Sequence, residues 1–301
     1  MVAEDKSPRW IGLRVAGLEM WLDATDTDLI ISPNLSRIKF LQPVAQPQAG
    51  SYLPGTGDAL ILHLRNAPLP NSSLSETLLY RSESWEFWRD TAGRLNFLAL
   101  EQVPPCKLTV SPDFKYGEVA GDFSQVAVKT IYPLENLEIR LFAAWLATRG
   151  DMILHASGVM VDGRGYCFVG SSGAGKSTLV TTLAADPAVT VLGEDQVILR
   201  YLEDRFWIFG TPWHIDPNRC SPDGVPLEKL FFLDRNAKLG VEWVTSMDGV
   251  ARLLQTAFIP YYLQEALPAI LDRLALLAET VSFHSLSYQL GSDPWSLILK
   301  A

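Results

Sequence analysis

The chain has 301 residues, 48% of them hydrophobic, and its 25 Lys and Arg against 34 Asp and Glu leave a net charge of −9. Apolar content of that order at this length supports a substantial core and room for two domains, and it excludes a chain disordered as a whole. Both halves carry more acid than base, so no basic field exists to hold nucleic acid or anionic lipid.

The three cysteines, Cys106, Cys167 and Cys220, lie far apart and form neither a CxxC pair nor an evident metal set with the four histidines. They read as free thiols in a reducing compartment. Met1–Lys6 lacks a basic region leading into an apolar stretch, and no run of about 18 uncharged apolar residues occurs. The expectation is a cytoplasmic, soluble protein with no membrane partner, in which the glycosylation-like Asn34-Leu35-Ser36 and Asn71-Ser72-Ser73 carry no meaning.

From Trp10 to about Tyr132 short apolar or alternating runs are separated by turn residues, which predicts a mostly β domain over 1–134. Its expected strands are Ile11–Val15 with Leu18–Leu22, Asp28–Ile31, Ala59–Leu64, Leu78–Arg81, Ser84–Arg89, Leu95–Leu100, Lys107–Val110 and Val126–Tyr132. Ser32-Pro33-Asn34, Pro54-Gly55-Thr56-Gly57 and Pro104-Pro105 mark turns, and Gln42–Tyr52 reads as an exposed loop. Trp10, Trp21, Trp85 and Trp88 could line a carbohydrate or peptide groove. Packing of a β core is the better reading, because no polar cluster at consistent spacing accompanies them.

A second domain is expected over 135–301, opening with a helix at Leu134–Arg149 whose apolar residues recur at helical spacing and which Gly150 closes. Met152–Val161, which contains His155, reads as a strand turning at Asp162–Gly165 into the apolar run Tyr166–Val169. Gly170-Ser171-Ser172-Gly173-Ala174-Gly175-Lys176-Ser177 follows, and Thr178–Ala185 reads as a helix stopped by Asp186-Pro187. Strand, G-x-x-x-x-G-K-[ST] loop and helix together form the phosphate-binding arrangement, with main-chain N–H groups converging on an anion at the positive end of the helix. Val189–Leu192 is a further short strand that delivers Glu194 and Asp195 at its carboxyl end, where ligands of open α/β sheets gather. A hairpin at Gln196–Tyr201 and Arg205–Phe209, the run Gly210–His214, a strand at Leu230–Leu233, helices at Asp248–Phe258 and Leu263–Glu279, a strand at Val281–Leu290 and a last helix opened by Asp293-Pro294-Trp295 complete the chain.

Phosphoryl transfer needs a phosphate cradle, a metal and a group that positions or deprotonates the acceptor. The cradle is Gly170, Ser171, Ser172, Gly173, Ala174, Gly175, Lys176, Ser177 and Thr178, with Lys176 reaching the outer phosphates. Ser177 and Asp195 are the candidate magnesium ligands, and two acids in one cleft, Glu194 and Asp195, can divide into general base and metal ligand. His155 reads equally as a contact to the transferred phosphate or as a hydrogen-bonded structural group.

The run His155-Ala156-Ser157-Gly158, the loop Gly170–Thr178 and the pair Glu194-Asp195 resemble the kinase domain of the HPr serine kinase family. The resemblance covers roughly 135–301 and is strongest between Met152 and Trp213. It implies a phosphoenolpyruvate carboxykinase-like P-loop fold of the α/β class, with His155 beside the phosphate, Glu194 as base and Asp195 assisting the metal. The first acid is Glu194 where the family has Asp, one methylene shorter, and Gly210-Thr211-Pro212-Trp213-His214 stands where the family's loop for its protein substrate is expected. Those departures resemble the relatives with an added N-terminal β domain, such as the lasso-peptide serine kinases.

The function expected is an ATP- and Mg2+-dependent kinase acting on a serine hydroxyl of a peptide or small protein, with residues 1–134 helping to hold the acceptor. A small-molecule hydroxyl kinase and a nucleotide-binding module with weak or no catalysis are the alternatives. The resemblance leaves room for a homo-oligomer.

Overall fold

The structure, a computed structural model, describes residues 9–42, 58–69, 76–124, 130–214, 216–234, 239–289, 291 and 293–300. The expected loop at 43–52, the turn at 54–57 and the first part of the strand expected from Val126 fall outside the described residues. The chain forms two compact units, Met1–Phe142 and Ala143–Ala301.

In the first unit, β1 (Trp10–Val15) and β2 (Leu18–Asp23) form a hairpin, followed by β3 (Ile30–Ile31), the short helix α1 (Leu35–Ile38) and β4 (Leu41–Gln42). Then come β5 (Ala59–Asn66), β6 (Thr77–Arg81), β7 (Trp85–Arg89), β8 (Leu95–Ala99), β9 (Cys106–Val110), β10 (Tyr116–Gly121) and β11 (Thr130–Ile131). Nine of these strands make one sheet in the order β4-β1-β2-β5-β10-β9-β8-β7-β6. The unit is mostly β, as the short alternating runs predict.

β10 escapes that pattern, because Tyr-Gly-Glu-Val-Ala-Gly offers little apolar alternation. It is nonetheless central, parallel to β5 and antiparallel to β9. Gly117 permits this position, since a Cβ there would stand 2.5 Å from the Thr109 carbonyl oxygen. Trp21 and Trp85 are buried, Trp85 among Tyr80, Phe87 and Phe97, so these two rings pack the sheet face.

Helix α2 (Glu138–Ala147) carries the chain from the first unit into the second, and the division falls inside it. Its fully buried Glu138 is held in the first unit by Arg37, at 2.7 Å, and by the Tyr132 hydroxyl, at 2.8 Å.

The second unit contains β12 (Met152–Leu154), β13 (Ala156–Val161), β14 (Arg164–Val169), α3 (Lys176–Leu183), β15 (Thr190–Gly193), β16 (Val197–Leu202), β17 (Arg205–Phe209) and β18 (Gly224–Leu233). After these come β19 (Gly240–Trp243), α4 (Ser246–Thr256), α5 (Leu267–Thr280), β20 (Phe283–Ser287) and α6 (Pro294–Lys300). The strands form one mixed sheet in the order β12-β16-β17-β18-β14-β13-β15, with β20 against β18 and β19 against β20. The unit is of mixed α/β class. Among the described residues no helix is long and apolar enough to cross a membrane.

The helices start where local chemistry permits. Pro268 stands in the first turn of α5, where its missing N–H costs nothing, and Thr245 caps α4 by accepting from Asp248 N. Asp293 likewise accepts from Trp295 N at 3.0 Å at the start of α6. α3 lays Leu179, Val180 and Leu183 on Val159, Tyr166, Phe168 and Phe231 of the sheet. Each such side chain contributes roughly 1.5–3 kcal/mol on burial, which fixes the helix end that follows the phosphate loop.

One expected strand is two. Met152–Val161 breaks at His155, because β12 pairs with β16 whereas β13 pairs with β14 and β15. His155 therefore lies between two strands, not on the one paired with the strand entering the loop.

Asp151, just ahead of β12, is buried and accepts from Arg200 Nε at 2.8 Å and from Tyr201 N at 3.1 Å. Asp151→Ala removes the carboxylate from a buried ion pair, and the expected loss in urea unfolding is about 3–5 kcal/mol, against under about 1 kcal/mol for an exposed pair such as Arg164–Glu228.

Candidate functional site

Between β14 and α3 the chain passes through Gly173 at φ 79° and Gly175 at φ 101°, left-handed conformations that favour glycine. Ala174 N bonds the Ser171 carbonyl at 3.0 Å and closes the turn, and the Tyr288 hydroxyl donates to the Gly175 carbonyl at 3.0 Å. Gly175 caps α3 without a side-chain hydrogen bond. Among the described residues, the N–H groups of Gly173, Gly175, Lys176, Ser177 and Thr178 donate to no main-chain carbonyl. These donors stand at the positive end of a helix, an arrangement suited to an anion.

Lys176, 6% exposed, turns back over the loop, with Nζ 2.6 Å from the Gly170 carbonyl, 3.3 Å from the Ser171 carbonyl and 3.1 Å from His155 Nε2. An ammonium only donates, so His155 Nε2 accepts and the ring proton sits on Nδ1. The ring's other hydrogen bond goes to the main chain of Asp195. Burial and then the adjacent ammonium hold His155 below its ordinary pKa, against an opposing pull from the Asp195 carboxylate. Burial also lowers the pKa of Lys176, again against the pull of Asp195. His155, Lys176 and Asp195, distant in sequence, thus act on one another directly.

The two acids diverge. Ser157 Oγ donates to the Glu194 carbonyl and pins the chain just past β15. The Glu194 carboxylate stands 3.7 Å from Arg219 Nε, and Arg219 is 4.0 Å from Asp216. Lys176 and His155 feel Asp195, whereas both acids act on His214.

Arg219, Thr211 and His214 complete this side of the site and were not among the sequence candidates. Thr211 Oγ1 spends its hydrogen on the Gln196 carbonyl at 3.0 Å, so at its 3.1 Å contact with His214 Nε2 the imidazole is the donor. Burial lowers the His214 pKa against the attraction of Asp195 and Glu194. The signal in the sequence was the run Gly210–His214, which the hairpin β16–β17 returns to the end of β15 through a bridge between Gly193 and Cys220.

Among the described residues no three His, Cys, Asp or Glu side chains gather as a metal cage. Magnesium bound with nucleotide needs only one or two protein oxygens, and the exposed hydroxyl of Ser177 together with the Asp195 carboxylate is a hard-oxygen set that fits it. Thr178, half-buried at the start of α3, completes the loop set.

A cleft of about 540 Å3 opens beside the loop. Gly170, Ser171, Ser172 and His155 line one side, and Phe232, Arg252 and the residues ending α4 line the other.

No family model matches the chain, and no curated protein matches it. Among solved structures, the HPr(Ser) kinase/phosphatase from Coxiella burnetii is similar over 49% of this chain and 88% of its own, at 13% identity and a TM-score of 0.27. A score of that size does not establish a common fold. The phosphoenolpyruvate carboxykinase-like architecture therefore stays an expectation beyond the mixed α/β class, and the functional reading rests on the geometry of the site.

The lowered pKa of His155 is open to direct measurement by NMR. Its imidazole is expected to titrate below the ordinary value near 6.5. Lys176→Met removes the second cause, so the pKa should rise; an unchanged midpoint would show that the ammonium does not act on the ring.

Proposed function

We propose that the second unit is an ATP- and magnesium-dependent kinase that transfers the γ-phosphoryl group to a hydroxyl, that of a serine on a peptide or small protein. The observation that carries the reading is Lys176 Nζ within 3.1 Å of His155 Nε2 at the mouth of a loop in which the N–H groups of Gly173 and Gly175–Thr178 have no main-chain acceptor among the described residues, with Asp195 acting on both side chains.

The N–H groups of Gly173 and Gly175–Thr178 bind the phosphates, and Lys176 exchanges its loop carbonyls for the outer phosphate oxygens. Ser177 and Asp195 would hold magnesium, which would supply charge neutralisation to the phosphates. The acceptor oxygen attacks the γ-phosphorus as the bond to the β–γ bridging oxygen breaks, and Glu194 takes the hydroxyl proton. His155, neutral and fixed by Asp195, stands beside the transferring group.

A nucleotide-binding module with little turnover is the second reading, favoured by the engagement of the Glu194 carboxylate by Arg219. Thermal stabilisation by ATP with magnesium, without transfer to any acceptor, would select it.

Incubation with labelled ATP and serine peptides tests the kinase reading. Lys176→Ala should lower transfer by about 10²–10³-fold, as for loss of one preorganised donor to developing charge. Asp195→Ala should lose magnesium-supported turnover more severely than His155→Ala. Wild-type rates in both variants would remove these residues from the site.

A further inference from the structure

We infer that the acceptor carries an anionic group next to the hydroxyl that is phosphorylated, and that Arg252 reads it in the cleft beside the loop. This rests on the phosphoryl-transfer reading and names its substrate class.

The cleft's position decides which substrate it serves. Lys176 Nζ, which marks the outer-phosphate end of such a loop, lies against the carbonyls of Gly170 and Ser171, and it is Gly170, Ser171, Ser172 and His155 that line the cleft. Lys176, Ser177 and Thr178, the first residues of α3, do not line it, so the cleft faces the leading residues of the loop. The opening therefore lies where the phosphoryl group leaves the nucleotide, and what fills it is the acceptor. A volume of about 540 Å3 fits a small molecule or a few residues of an extended peptide.

The lining sets the chemistry. It contains no carboxylate, and Arg252 is its guanidinium. The Arg252 guanidinium carbon lies over the Phe232 ring, 5.3 Å from its centre, and Arg252 has no carboxylate partner among the described residues. A cation–π contact at that distance leaves a guanidinium, with its five N–H donors, hydrogen bonds to offer a planar anion, a carboxylate or a phosphate.

The wall is also held in register with the catalytic side. His155 N donates to the Thr256 carbonyl at 2.8 Å, Phe258 N donates to the Ile153 carbonyl at 2.8 Å, and Leu154 bridges to Ala257. Thr256 Oγ1 in turn donates to the Arg252 carbonyl at 3.2 Å, so the arginine sits one helical turn from residues tied to the histidine strand. Aliphatic and aromatic groups of Phe232, Leu233 and Phe258 complete the wall.

The test uses the full chain with labelled ATP and three serine peptides alike save for Asp, Asn or Lys beside the serine, together with a hydroxy acid and its amide. The expected result is labelling of the Asp peptide about ten- to hundredfold above the Asn peptide at equal concentration, the scale of one charge-assisted hydrogen bond. Arg252→Ala should raise KM for the Asp peptide and remove the preference, and Arg252→Glu should turn it toward the Lys peptide. A preference for the hydroxy acid over its amide, abolished by the same variants, supports the same recognition in a small molecule. Equal labelling of Asp and Asn peptides, or a preference that survives Arg252→Ala, overturns the inference and leaves the kinase reading standing. An equal loss on every acceptor in Arg252→Ala, matched by loss of ATP hydrolysis in water, also overturns it, because the guanidinium would then serve the transferred phosphate. If ATP with magnesium stabilises the chain and nothing is labelled, transfer itself has failed, and the inference falls with it.

Discussion

The candidate site depends on a charge kept nearly out of water. Lys176 is 6% exposed, and the desolvation of its ammonium is offset by the carbonyls of Gly170 and Ser171, the lone pair of His155 and the more distant Asp195 carboxylate. Each partner constrains something else in turn. The carbonyls require a loop that folds back on itself, and the left-handed glycines supply it. The imidazole must be neutral and oriented, and its second hydrogen bond with the Asp195 main chain orients it. The acid must arrive from a different strand, and β15 delivers it beside β13, the neighbour of the strand that feeds the loop. The same partners that hold the ammonium are the weak ones that an anion would replace.

The phosphate loop was legible because its residues are contiguous and their spacing has a mechanical meaning. The strand before it and the helix after it follow from apolar periodicity, and the helix onset at Lys176 fits the glycine that precedes it. His155 was legible as a residue and misread in its setting. A run as apolar as Met152–Val161 gives no local sign that its two halves pair with different strands, since that choice is made by β16 on one side and β14 on the other. The far side of the site left only the run Gly210–His214 as a mark in the sequence. Arg252, Phe232 and His214 carry no spacing relation to the loop: Phe232 comes beside it through the pairing of β18 with β14, Arg252 through the return of α4, and His214 through the β16–β17 hairpin. The pairing of Glu194 with Arg219 was hidden for the same reason.

In the first unit the alternating runs announced most strands, and the tryptophans that tempt a groove reading are partly accounted for by packing. β10 was invisible because its glycines, needed for close approach to β9, remove the apolar side chains by which strands are recognised. Close packing and a readable pattern were in conflict there, and packing prevailed.

The place of β10 has a consequence for how this unit is made. On one side of it β6 to β9 form a meander, and β1 with β2 form a hairpin, all from neighbours in the chain that can meet early. Among the described residues the two sets join only through the parallel pairs β2–β5 and β5–β10, whose partners are far apart in the chain, so closing those loops is the entropically slow step. A nascent chain that has emerged as far as β9 holds two finished pieces and lacks the strand that unites them. The unit becomes whole only when Tyr116–Gly121 leaves the ribosome, and until then the long edge of β5 stands open to other chains.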